Sequence, residues 1–418
     1  MTPAGSIPRE ILAIQRPAAL AAAAGVIVLL IGMPIIGTPA FFRAYLFAWM
    51  FCLGLSLGSL AVVMLSHLIN GEFMWLVRRF AESAAMNLVL VAILFVPILF
   101  GLKYLFPWAD EHWVGSDKIM THRGGYMNPT WFTMRAVIYF VIWIGLAVLL
   151  RTWSLAYERG GGDVNHLRSL QRVSAPGLLL YVITVTLAVV DWVLSRDPHW
   201  YSHIIGLLTV VGQAGAAVSL LTYLVCKIAG REPVSRYLEP KHLNDLGNLL
   251  LTLVILWAYM SFAQLLIIWM GNSKEDIGWY AQRGMGLAPN GWRWLGLFLI
   301  VFHFFVPFLI LLGRDNKRQA VTLGRIAAWL LVMRVLDVYW WVAPAGWFDP
   351  THAARGSGAH GEHEILVGHV SWLDVPALFG LVGLWMTLFV QNLKGKPLLA
   401  RGGPEPIDER AAHGHAHA

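Results

Sequence analysis

The sequence predicts an all-α integral membrane protein of ten transmembrane helices: two parallel four-helix bundle repeats plus two peripheral helices. Three observations predict it. Of the 418 residues, 57% are hydrophobic and only 13% are charged. The apolar residues gather in blocks of ~20, the length a helix needs to cross the hydrocarbon core. The blocks in the two halves of the chain also carry similar polar markers in the same order.

Taken in order, the spans are 17–36, 41–69, 84–106, 129–152, 174–196, 200–229, 243–271, 291–313, 320–343 and 371–393. The first follows Arg9 and Arg16. It is longer than the apolar core of a signal peptide and no small-residue cleavage site follows it, so it reads as a retained span. Loops on the N-terminal side hold 20 of the 31 Lys and Arg residues and the opposite loops hold 9; Arg135 and Arg334 lie within spans. That excess puts both termini in the cytoplasm. An even number of spans requires both termini on one side, which agrees.

The repeat is read from four matches. Arg79-Phe80-Ala81-Glu82 and then Asn87-Leu88 precede span three, and Arg236-Tyr237-Leu238-Glu239 and then Asn248-Leu249 precede span seven. Span four opens on Asn128-Pro129-Thr130-Trp131 and span eight on Asn290-Gly291-Trp292. Span five carries Val190-Asp191-Trp192-Val193, and span nine carries Leu336-Asp337-Val338-Tyr339. Spans two to five and six to nine then form copies of one orientation, related by an axis along the membrane normal. This divides the chain into a tail and peripheral helix (1–40), a first bundle (41–196), a second bundle (197–343), and an outer loop, last helix and cytoplasmic tail (344–418).

Several chemistries are excluded. Cys52 and Cys226 both lie in apolar runs, and an iron–sulfur cluster takes about four cysteines. No Cys/His spacing suits structural zinc, so metal centres, if electrons move here, belong to other chains. The net charge of +7 sits in loops between spans and is no nucleic-acid signal. In the outer loop, His352, His360, Glu362, His363, Glu364 and His369 show no standard ligand spacing and read as a polar loop on a partner surface. His413, His415 and His417 read as a tail. A bis-histidine haem would have to use His203 and His303, since His67 lies at the cytoplasmic end, and none is expected.

A charged side chain at membrane depth is costly and usually marks a proton, ion or substrate path. Asp191 falls in the outer third of span five, Arg135 in the outer third of span four, and His203 at the outer start of span six. In the second unit Arg334 and Asp337 are three apart on one helical face, placed to pair. His303 lies near the middle of span eight and Gln264 in the outer half of span seven. Each has a packing reading too: an Asp–Arg pair neutralises itself and pins helices together, and His203 sits in an aromatic belt with Trp200 and Tyr201. The spacings Gly54-Leu55-Ser56-Leu57-Gly58 and Gly212-Gln213-Ala214-Gly215-Ala216 read as close helix contacts.

Four stretches carry a family resemblance: VDWVLSRDPHWYSHIIG (Val190–Gly206), FAQLLIIWMGN (Phe262–Asn272) followed by GWY (Gly278–Tyr280), HFFVPFLILLGRD (His303–Asp315) and VMRVLDVYWWVAP (Val332–Pro344). The chain resembles, over nearly its whole length, the membrane subunits of bacterial alternative complex III, within the NrfD and polysulfide-reductase membrane-anchor family. The resemblance implies a core of two four-helix bundles in the bacterial cytoplasmic (inner) membrane. It implies a complex that oxidises membrane quinol and reduces a periplasmic cytochrome c or related carrier. The partners implied are a paralogous membrane subunit and periplasmic subunits carrying iron–sulfur clusters and haem c. No cofactor bound directly by this chain is expected; the family's quinol site lies near the outer face of the first bundle, where Arg135, Asp191 and His203 fall, and Asp337, Arg334, His303 and Gln264 of the second unit complete the candidate proton-path or quinone-pocket residues. Within that family the paralogue is the better candidate for quinol oxidation, which leaves proton conduction or structural support as the competing roles here. A secondary transporter is the reading from another class, since parallel repeats suit one. The outer-face position of the charges and the lack of an obvious broken helix speak against it.

Overall fold

In a computed structural model of the chain, a helix occupies each of the ten apolar stretches. The structure describes residues 7–69, 71–110, 114, 118–159, 164–197, 200–272, 274–285, 290–345 and 368–399, and among these there is no β-strand. The long helices are α1 (Gln15–Ile36), α2 (Thr38–Ile69), α3 (Glu72–Phe100), α4 (Pro129–Arg159), α5 (Val164–Trp192), α6 (Ile205–Lys227), α7 (Pro240–Gly271), α8 (Gly291–Leu312), α9 (Ala320–Val342) and α10 (Asp374–Leu393). Nine of them are long and apolar enough to cross a membrane. The exception is α9, which has 23 residues but carries Arg325, Arg334 and Asp337. The protein is a multi-pass helical membrane protein.

α2 lies at the centre, and its most apolar stretch is buried on every side. Its small residues permit this. A Cβ added at Gly58 would stand 2.0 Å from the Gln213 carbonyl oxygen of α6, so only glycine allows that approach. α2 also packs on α5, α9 and α10, while α6 packs on α5 and α9. At the side, α1 pairs with α10 through glycines: a Cβ at Gly25 would lie 2.4 Å from the Gly380 backbone nitrogen.

The helices depart from expectation in four places. α3 starts at Glu72 rather than near residue 84, so Arg78 and Arg79 are buried in a helix instead of lying in a loop. α3 is broken by turns at Met86–Asn87 and Leu94–Phe95. Asn87 spends its side chain on the Trp385 carbonyl, and Pro97 has no N–H to offer the carbonyl four residues back. α6 starts at Ile205, which leaves His203 in the turn before it. Finally, α8 widens into a π-helical turn over Ile300–Phe305, just before Pro307, which has no N–H for the carbonyl of His303. The irregular turns of α3 and α8 stand against the expectation of unbroken helices. His352, His360, Glu362, His363, Glu364, His413, His415 and His417 lie outside the described residues.

Candidate functional site

Asp191 and Arg135 meet, as their shared depth predicts. Asp191, in the last turn of α5, is only 2% exposed. Arg135 of α4 donates to both of its carboxylate oxygens, through Nε at 2.9 Å and Nη2 at 2.8 Å. Tyr139, one turn along α4, donates its hydroxyl to Oδ2 at 2.9 Å. The Arg135 guanidinium also lies over the Tyr126 ring at 3.8 Å and donates to the Tyr126 carbonyl. Burial and then the nearby Asp191 charge push the Tyr126 phenol above its ordinary range. Below the carboxylate, Trp192 packs edge-on against Trp49 and Trp143 and stacks with Phe140. Three donors and an aromatic wall leave Asp191 closed in. His203 does not join it: it is exposed, and makes no polar contact with this pair among the described residues.

The second pair is arranged differently. Arg334 and Asp337 bond within α9, and Asp337 also accepts from the Trp257 indole of α7 at 3.2 Å. The guanidinium rests on Gly212 of α6, where a Cβ would stand 2.5 Å from Nη2. The predicted close contact at Gly212 is therefore with a charged side chain as well as a helix. His303, on the π-helical turn, is 3% exposed and lies against the Trp257 ring with centroids 4.2 Å apart.

A cavity of about 250 Å³ adjoins this group. Asp337 and Gln264 are on its wall, with Trp257, Tyr280 and Trp340, and the Gln264 side-chain oxygen accepts from Ser202 at 2.6 Å. Phe262 and Phe305 also line it, and both are exposed on the outer apolar surface. The cavity thus reaches residues of the exposed apolar surface, and a carboxylate residue and an amide residue are also on its wall.

Of the seven candidate residues, the structure gathers Gln264, His303, Arg334 and Asp337 around one region, joins Arg135 with Asp191 in another, and leaves His203 outside both. Sequence reading missed Tyr139, Trp257, Tyr280 and Trp340. In a chain with 20 Trp, an aromatic residue in a span carries no contrast. Only the i, i+4 spacing of Tyr139 from Arg135 offered a signal. Among the described residues, no three His, Cys, Asp or Glu side chains are grouped to hold a metal.

Fold and site together define a multi-pass helical membrane protein with a buried carboxylate residue bordering a largely apolar cavity. No protein-family model matches the sequence, and no curated protein matches it.

Proposed function

We propose that this chain is a membrane subunit of a quinol:electron-acceptor oxidoreductase of the alternative complex III type, crossing the bacterial inner membrane ten times with both termini in the cytoplasm. The observation that carries this proposal is the cavity at Asp337. A quinone is a polar ring on an apolar tail, and the cavity is almost wholly apolar, with Phe262 and Phe305 on its wall and Asp337 and Gln264 as the polar side chains that could meet the ring. Gln264 and Asp337 are the groups that would hold the ring. Quinol oxidation releases two protons with its two electrons, and Asp337 is placed to accept one. The electrons pass to iron–sulfur and haem c groups in periplasmic partner subunits; no residue here is suited to carry them. The packing of α2 on α5 and of α6 on α9 supports two four-helix units, and the ion pairs near the ends of α5 and α9 fit corresponding places in them.

The two units differ in role. Both carboxylates are buried and hydrogen-bonded; Asp337 borders the cavity, whereas Asp191 joins α5 to Arg135 and Tyr139 of α4, which supports a scaffold function for the first pair. Asp337→Asn in the assembled complex is expected to lower quinol:acceptor turnover about a hundredfold, the low end of the ~10²–10⁴ typical of proton-transfer groups, with assembly intact. Unchanged turnover in a normally assembled complex would overturn the quinone reading and leave a scaffold subunit.

A further inference from the structure

Two buried nitrogens beside the Asp337 cavity have no hydrogen-bond partner among the described residues: His303 Nδ1 and Arg334 Nε. Their residues are 3% and 8% exposed. Both residues border one small void of about 20 Å³, shared with Gly215, Ser219 and Trp257. A water needs roughly 10–15 Å³ of such space and two to four polar partners. The void offers the space, and the residues around it carry one obligate donor, Arg334 Nε–H, one ring nitrogen able to accept, and the Ser219 hydroxyl.

We propose that this void is a built water site. The water accepts from Arg334 Nε–H and donates to His303 Nδ1, with the Ser219 hydroxyl as its third neighbour. No other occupant fits as well. Arg334 repels a cation, and an apolar group would leave both nitrogens without partners. The water has two consequences. It goes with the imidazole tautomer that carries its proton on Nε2 and leaves Nδ1 to accept. It also holds the guanidinium on two sides, so that Nη1 stays on Asp337 while Nε is occupied behind it. His303 is thereby a positioning residue for Arg334. The site stands on these atoms and this void and does not depend on the quinol assignment.

Gly215 gives the test. It borders the void, and a methyl added there meets nothing within 4 Å, so Gly215→Ala narrows the space from its edge without collision. A wet and a dry void then predict opposite signs. If a water bridges the two nitrogens, displacing it orphans both, and the purified protein in nanodiscs melts at least about 2 °C lower, despite alanine's better helix propensity. In a His303→Phe background, where only Arg334 Nε is left to lose the water, the same substitution lowers the melting temperature less. If the void is dry, the methyl narrows a cavity and the melting temperature holds or rises, which overturns the proposal. Electron cryomicroscopy of the unsubstituted protein is the second measurement. A density peak within hydrogen-bond distance of both nitrogens is expected, and a featureless void between well-defined His303 and Arg334 side chains rejects the site.

Discussion

At the scale of single residues, burial decides what each charge does. The Arg135–Asp191 pair is forked, joined by Tyr139, and nearly removed from solvent. Removing one member of a buried pair costs about 3–5 kcal/mol because the other is left uncompensated, whereas replacing both with apolar groups is often close to neutral. Asp191→Leu is therefore expected to destabilise the protein by about 3 kcal/mol, the lower end, since Arg135 keeps some solvent contact. The double variant Arg135→Leu/Asp191→Leu should recover most of that loss in SDS unfolding; equal loss in both would show that the pair is not the source. The Arg334–Asp337 pair was legible from its i, i+3 spacing alone. Arg135–Asp191 needed topology as well, because its members are 56 residues apart. The void between His303 and Arg334 was beyond reach, since it depends on how α6, α7, α8 and α9 seat against one another.

At the scale of elements, the outer end of α9 shows what charge counting overlooks. Arg283 donates to the Trp279, Trp340 and Trp341 carbonyls at 2.8, 3.2 and 3.0 Å, with its guanidinium 3.4 Å from the Trp279 ring. Arg196 donates to the Val342 carbonyl at 2.5 Å. Two cations thus satisfy the last carbonyls of α9, where the helix dipole favours positive charge. Burial pulls the Arg283 pKa well below its ordinary value, and the charge of Asp197 opposes that shift. A topology count sees both arginines only as outer-loop charges, because it contains no depth. Arg283→Gln is expected to lower the melting temperature by a few °C, and Arg283→Lys to recover less than half, since a point charge cannot serve three carbonyls in one plane. Full recovery by lysine would mean that charge, not the fork, is what matters. The same blindness hid Arg79, whose helix carries Glu82 to within 2.6 Å of Ser154. The breaks in α3 and the π-helical turn in α8 went unread too, although Pro97 and Pro307 stand just after them.

At the scale of the molecule, the helix positions were the most legible feature. Lipid requires every backbone group of a span to be satisfied within it, so an apolar block of sufficient length has few alternatives to a helix. The excess of Lys and Arg on one side predicts orientation, and that is testable directly. In cells with the outer envelope removed, a cysteine replacing Val370, which is 74% exposed, is expected to react with a membrane-impermeant maleimide. A cysteine replacing Ala418 should react only once the membrane is opened. The reverse pattern would invert the topology and place the Asp337 cavity in the other leaflet. Native Cys52 is fully buried and contributes little background.

The enclosure of α2 bears on biogenesis. It is the second long helix to leave the ribosome, yet α5, α6, α9 and α10, which cover it, emerge afterwards. Its Ser56 hydroxyl receives the Trp385 indole of α10 at 2.7 Å, so that contact waits for the final span. Until then the face of α2 that α10 covers is left to lipid or to the insertion machinery. Completion of this chain is therefore a closing event at its C-terminal end: a nascent chain stalled before α10 leaves the central helix uncovered on one side and open to membrane quality control.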